Sequence, residues 1–167
     1  MNDTYLAWLN DARAMELGMV ETLQSHIKLA DGKNDKLKKQ LEKHLRETEE
    51  QAEMVTEAIE RYGGKVSHGK GMISKIASSM AGTTAALSGD DLMKASLSDY
   101  AAEHLEIASY TAIATAAEDL GDLETIKMCD KILEQERAMA AWLEANLPEL
   151  ASTYIQKEEE QEMKAEG

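Results

Sequence analysis

The sequence predicts an all-α protein built as a bundle of four long helices. Ala, Leu, Met, Glu and Lys are abundant, while the chain holds one proline and no phenylalanine. Apolar residues recur every three or four positions over four long stretches, which is the period of amphipathic helices rather than strands. With 167 residues, 43 % of them hydrophobic, the chain is long enough to form one domain with a substantial core.

The four predicted helices span residues 5–30, 35–62, 91–120 and 123–146. Glycines follow the first three helices, as is usual at helix ends, and Pro148 follows the fourth. The pattern therefore predicts two helical hairpins, each closed by a short turn.

Residues 65–90 are rich in Gly, Ser, Thr and Ala, and they separate the two hairpins. We interpret this segment as a long crossover that contains a short helix. Two hairpins joined by one long connection give the topology of ferritin-like four-helix bundles. Residues 1–148 are expected to form this bundle, and 149–167 an acidic tail that is partly helical or disordered.

Charge and cysteine content narrow the class of protein. The formal net charge of −14 argues against a nucleic-acid partner or an anionic membrane surface. Cys129 is the only cysteine, so the chain has no internal disulfide, and we find neither a signal peptide nor an apolar run long enough for a membrane span. We therefore expect a cytoplasmic protein.

Four glutamates, one on each predicted helix, are the main functional signal. Glu16 and Glu47 are 31 positions apart, Glu106 and Glu136 are 30 apart, and a predicted turn lies near the middle of each interval. If each hairpin folds back on itself, both members of a pair stand roughly 22 Å from their turn, at 1.5 Å per residue. Burying four carboxylates together is very costly without a cation. The spacing therefore predicts a metal site inside the bundle.

Several alternatives remain open at this stage. Each glutamate could instead face solvent, and Glu47 lies at the edge of its apolar stripe. Glu103 and Glu106 are neighbours on one helix surface, so either one of them is solvated or a cation lies between them. His44 could ligate metal through a neutral imidazole, or serve a structural role. The Glu-x-x-His motif that is usual in di-iron bundles is absent, because Glu50 and Met139 stand where its histidines would be.

Four segments carry a resemblance to a known family, in order and one on each helix: Trp8–Glu16, His44–Gln51, Glu103–Tyr110 and Leu133–Leu143. They are similar to the helix signatures of the bacterial YciE/YciF family, ferritin-like proteins linked to stress responses. The resemblance covers about residues 5–148. It implies a ferritin-like bundle, a homodimer and a dinuclear metal site.

The resemblance also implies which side chains hold the metal. The positions carried over are Glu16, His44, Glu47, Glu103, Glu106 and Glu136. By analogy, Glu16 and Glu136 would be terminal ligands, with Glu47 and Glu106 bridging the ions. Relatives often have His in place of Arg13 and an acidic residue in place of Ala141. Arg13 lies one turn before Glu16 and could pair with that carboxylate.

Two functions are consistent with these features. The first is a di-metal oxidoreductase that holds two iron or manganese ions and reacts with oxygen or peroxide in stress protection. The second is a non-enzymatic stress or interaction protein whose metal site is vestigial or purely structural. The missing histidines and Arg13 favour the second, and the matched glutamates favour the first.

Overall fold

A computed structural model describes residues 2–67 and 91–165, and it confirms the all-α four-helix prediction. The helices are α1 (Asp3–Ala30), α2 (Asp35–Arg61), α3 (Asp91–Leu120) and α4 (Leu123–Ala165). The short helix predicted in the crossover falls within 68–90, outside the described residues. None of the helices described in the structure is long and apolar enough to cross a membrane.

The two hairpin turns form as the local sequence predicts. Asn34 caps α2, because its Oδ1 atom accepts a hydrogen bond from the Leu37 backbone N–H at 3.0 Å. Gly32 and Gly121 have φ angles of +68° and +70°, a backbone conformation that residues with a side chain rarely adopt. Each of them closes a hairpin.

Contacts between helices fix the topology. Two contacts join α1 to α3, Glu16–Tyr110 and His26–Asp99, and a third joins Tyr5 to Asp122 in the turn after α3. These helices therefore run antiparallel. Gln51 contacts Glu136, which joins α2 to α4. Because α1 and α2 form one hairpin, α2 and α3 run parallel. This is the ferritin-like arrangement with one long connection.

The apolar core is divided into two clusters along the bundle. One lies around the α3–α4 turn, and its large buried side chains include Tyr5, Leu9, Val55, Ile113 and Ile132. The other lies around the α1–α2 turn and includes Leu23, Leu41, Leu92, Met139 and Leu143. A layer of buried polar side chains separates the two clusters. This layer contains the candidate site.

The fourth helix is longer than predicted. It was expected to end at Asn146, but it continues through Pro148 to Ala165. An interior proline costs about 3 kcal/mol through a lost hydrogen bond and a steric clash. Beyond it, Leu150 is buried and Tyr154 packs against the same cluster. Burying such side chains returns about 1.5–3 kcal/mol each, so tertiary packing keeps the chain helical.

Candidate metal centre

One face of α3 consists of titratable side chains turned into the bundle. Asp99, Glu103, Glu106 and Tyr110 are each at most 2 % exposed. Their spacing of four, three and four residues places them on a single helical stripe. The sequence left open whether Glu103 or Glu106 faces solvent, and in the structure both face inward. Buried carboxylates at this density require compensating partners.

Four buried residues converge at this layer: His44 of α2, Glu103 and Glu106 of α3, and Glu136 of α4. Each offers one ligand atom, and these atoms all lie within 4.8 Å of one another. The Nε2 atom of His44 is 3.1 Å from Glu103 Oε1 and 3.7 Å from Glu136 Oε2. Imidazole nitrogen and carboxylate oxygen at this separation form a donor set suited to a metal ion.

Glu16 of α1 adds a fifth buried group beside these four. Its side chain is fully buried, and the Tyr110 hydroxyl donates a hydrogen bond to its Oε1 atom. From α2, Gln51 Nε2 donates to Glu136 Oε1 at 2.5 Å and also to Gln135 Oε1 at 3.1 Å. Tyr110 and Gln51 therefore each fix one oxygen of a glutamate and leave the other free.

With every glutamate ionised, several carboxylate oxygens of the cluster have no hydrogen-bond partner although they are fully buried. They are Oε2 of Glu16, Glu106 and Glu136, and both oxygens of Glu103. The approach of His44 to Glu103 is not aligned as a hydrogen bond. An unpaired buried acceptor costs about 1–3 kcal/mol, and more when it is charged. A metal ion can be coordinated by several oxygen atoms at once, so the five unpartnered atoms of this cluster fit a metal ion.

Electrostatics show how these carboxyl groups can stay buried in the absence of a cation. Burial raises the pKa of Glu16 to about 8, and the negative charge of Glu136 adds to the shift. The pKa values of Glu103 and Glu106 lie well above their usual range, first because of burial and then because of Glu136. In the absence of a cation, the carboxyl groups therefore retain protons near neutral pH. A bound cation would replace those protons.

Glu47, which was predicted to be a metal ligand, is not one of the four converging residues. Its side chain is 19 % exposed, and its oxygens lie 2.6 Å from Lys43 Nζ and 3.4 Å from His44 Nδ1. The contact with His44 contributes most to lowering the pKa of Glu47 to about 2, and Lys43 lowers it further. The structure thus places an ionised carboxylate on the outer side of His44.

Arg13 and Ala141, the two departures from the family pattern, both lie outside the cluster. Arg13 was expected to be able to pair with Glu16, but its Nε atom donates to Thr56 Oγ1 at 2.8 Å on the outer seam between α1 and α2. No ion pair joins Arg13 to Glu16 in the part of the chain that the structure describes. Ala141 is exposed on α4. An acidic residue there would lie on the surface.

One buried pair near the cluster was not predicted from the sequence. His26 Nδ1 and Asp99 Oδ1 lie 2.7 Å apart and join α1 to α3. The signal for Asp99 was available, since it stands four residues before Glu103 on the same stripe. His26 carried no comparable signal, because its partner is on another helix.

Fold and site together define a class of protein. Four helices in this topology, around a buried group of carboxylates and one histidine, make a ferritin-like protein whose cluster fits a di-metal site. More specifically, the chain belongs to the family described as a domain of unknown function, DUF892, whose model matches residues 1–156. The predicted relation to the YciE/YciF proteins is confirmed.

Solved structures share this fold over most of their length. A protein from Xanthomonas campestris is 30 % identical, with a TM-score of 0.80 over 94 % of this chain and 97 % of that one. The Escherichia coli stress protein YciF is 24 % identical, with a TM-score of 0.79 over 90 % and 96 %. Bacterioferritin from Rhodobacter capsulatus, described with a metal-free dinuclear site and haem iron, is 16 % identical, with a TM-score of 0.70 over 89 % and 86 %.

Proposed function

We propose that this chain binds two iron or manganese ions at the buried cluster and reacts with oxygen or peroxide in protection against stress. The observation that carries the proposal is the set of five unpartnered carboxylate oxygens buried in one layer of the bundle. Such atoms are rare in folded proteins unless water or an ion satisfies them. The stress role follows the description of the relative YciF as a stress protein.

Charge and ligand type support two ions of this kind. Four buried glutamates, Glu16, Glu103, Glu106 and Glu136, carry four negative charges when ionised, and two divalent cations neutralise them. Carboxylates are hard ligands, and one imidazole alongside them suits iron or manganese better than zinc or copper. We therefore assign these four glutamates and His44 as the ligands, with Glu47 outside them.

Residues around the ligands would orient them. Tyr110 holds one oxygen of Glu16, and Gln51 holds one oxygen of Glu136. If Nδ1 of His44 carries the proton, it donates to Glu47 and leaves Nε2 directed at the cluster. A carboxylate behind a ligating histidine fixes the tautomer and raises the basicity of the ligand. The two apolar clusters on either side limit the access of water.

Bound iron or manganese would supply the electron transfer to oxygen or peroxide that protein side chains cannot perform. The test is metal analysis of protein purified without oxygen and reconstituted with each metal, followed by measurement of oxygen or peroxide consumption. We expect close to two ions per chain, and consumption above that of the free ion. Well under one ion per chain after reconstitution would contradict the proposal.

The second candidate is a non-enzymatic stress or interaction protein in which protons or metal only stabilise the bundle. The raised pKa values of Glu16, Glu103 and Glu106 favour it, because protonated carboxyl groups allow the fold to persist without metal. The cluster also has a single nitrogen ligand, His44. Metal loading without consumption of oxygen or peroxide would support this candidate over the first.

A further inference from the structure

A second buried polar pair lies beyond the ligands along α3. Asp99 is 1 % exposed, and its Oδ1 atom is 2.7 Å from Nδ1 of His26. Its other oxygen, Oδ2, is buried without a hydrogen-bond partner. A pair that served only to join α1 to α3 would not need this second buried acceptor, because leaving it unpaired is costly.

Position links Asp99 to the cluster. It precedes Glu103 by four residues on the inward stripe, so the two side chains are neighbours one turn apart. Among the causes that raise the pKa of Glu103, burial and Glu136 come first, and the charge of Asp99 follows. An ionised group in a poorly solvated interior acts over several ångströms with little screening.

We propose that Asp99, held in place by His26, is a positioning residue of the metal centre, a buried carboxylate that strengthens cation binding without belonging to the close ligand set. The inference rests on the proposed function, because it requires that the cluster bind metal. A divalent ion among the glutamates gains from an additional negative charge one turn away. His26 keeps that carboxylate hydrogen-bonded, so it remains in place while Glu103 engages the ion.

The test compares three variants in a titration with Mn²⁺, in which electron paramagnetic resonance measures the free ion. Asp99→Asn removes the charge and keeps the size of the side chain. His26→Gln keeps a hydrogen-bond donor for Asp99 but removes the imidazole. Asp119→Asn is the matched control, since Asp119 is an exposed residue of the same helix, about 20 Å from Glu106 along its axis.

We expect Asp99→Asn to weaken Mn²⁺ binding by about tenfold or more, as the loss of a nearby charge requires. His26→Gln, in which the amide can still donate to Asp99, should bind about as tightly as the wild type, and Asp119→Asn should match it. A purely structural pair predicts instead that Asp99→Asn and His26→Gln affect binding to a similar extent. Asp99→Leu, which leaves no buried amide, should show the same loss as Asp99→Asn and serves if that variant does not fold.

The outcomes separate this inference from the proposed function. If the wild-type chain takes up no Mn²⁺ or iron, the proposed function is wrong, and the role of Asp99 is wrong with it. If the wild type binds metal and both Asp99 variants bind equally well, only the role of Asp99 is wrong.

Discussion

The Nδ1 atom of His44 lies 3.4 Å from the partly exposed carboxylate of Glu47, while Nε2 faces the buried glutamates. One imidazole thus connects an ionised surface carboxylate to the interior cluster. If Nδ1 carries the proton, the lone pair of Nε2 is free to bind a metal ion. Glu47 then belongs to the centre as the group that orients His44, and not as a ligand.

This arrangement predicts the effect of Glu47→Gln. We expect Mn²⁺ affinity to fall by about 10–100-fold, the usual cost of losing a group that orients a ligand. Two ions should still bind at saturation, because the ligands themselves are unchanged. Glu49→Gln, an exposed change on the same helix, should leave the affinity unaltered. A loss of one ion per chain in Glu47→Gln would instead make Glu47 a ligand.

Tyr110→Phe tests the hydrogen bond that holds Glu16. The change removes the donor and leaves a second buried oxygen of Glu16 unpartnered. We expect the free energy of unfolding of the metal-free protein to fall by about 1–3 kcal/mol in urea denaturation. Tyr100→Phe, on the same helix but partly exposed, should cost much less. Equal costs for the two variants would argue against this role of Tyr110.

The stability of the metal-free protein should fall as pH rises from about 4.5 to 8. Glu16 has an ordinary pKa of 4.5, and in the folded state it is about 8, so in this window the folded state binds more protons than the unfolded chain. The free energy of unfolding then decreases with pH, and Glu103 and Glu106 add in the same direction. Thermal unfolding at a series of pH values measures the effect.

Metal-loaded protein provides the control for that experiment. Metal competes with protons for the same carboxylates, so its binding strengthens as pH rises. The Tm of the loaded protein should therefore rise or hold between pH 5 and 7, while that of the metal-free protein falls. A metal-free Tm that climbs over the same range would show that the buried carboxyl groups are not protonated.

Local sequence predicts most of the fold. It also predicts that three of the four glutamates with matched spacing face inward. The ends of the first three helices were predicted to within two residues, because caps and turn glycines such as Asn34 and Gly121 act over a few positions. Glu16, Glu106 and Glu136 interrupt apolar stripes, so their helical period alone indicates that they face inward. The structure buries all three.

The exclusion of Glu47 from the cluster could not be predicted from its distance to the turn. The buried stripe of α2 at this level runs through His44, Thr48 and Gln51, and Glu47 lies beside it. The direction of a side chain around the helix therefore decides which residue enters the cluster, and equal distances from the turn do not reveal it.

The continuation of α4 past Pro148 could not be predicted from local sequence either. A proline is correctly read as unfavourable within a helix, and only the burial of Leu150 against residues distant in sequence outweighs it. The same limit applies to the partner of Asp99, because His26 comes close to it only when α1 and α3 pack.

Glu103→Leu should have opposite effects on stability in the absence and in the presence of metal. Both oxygens of Glu103 are buried without hydrogen-bond partners, so an apolar side chain of similar size removes a costly group. Because an unpaired buried acceptor costs about 1–3 kcal/mol, we expect a gain of that order in the metal-free protein. Under the di-metal proposal, the same change should abolish binding of at least one ion and with it the stabilisation by metal. Urea denaturation with and without Mn²⁺ measures both effects.

Two results would contradict this prediction. A variant that gains stability and still binds two ions would exclude Glu103 as a ligand. A variant that loses stability without metal would contradict the cost assigned to the unpaired oxygens of Glu103.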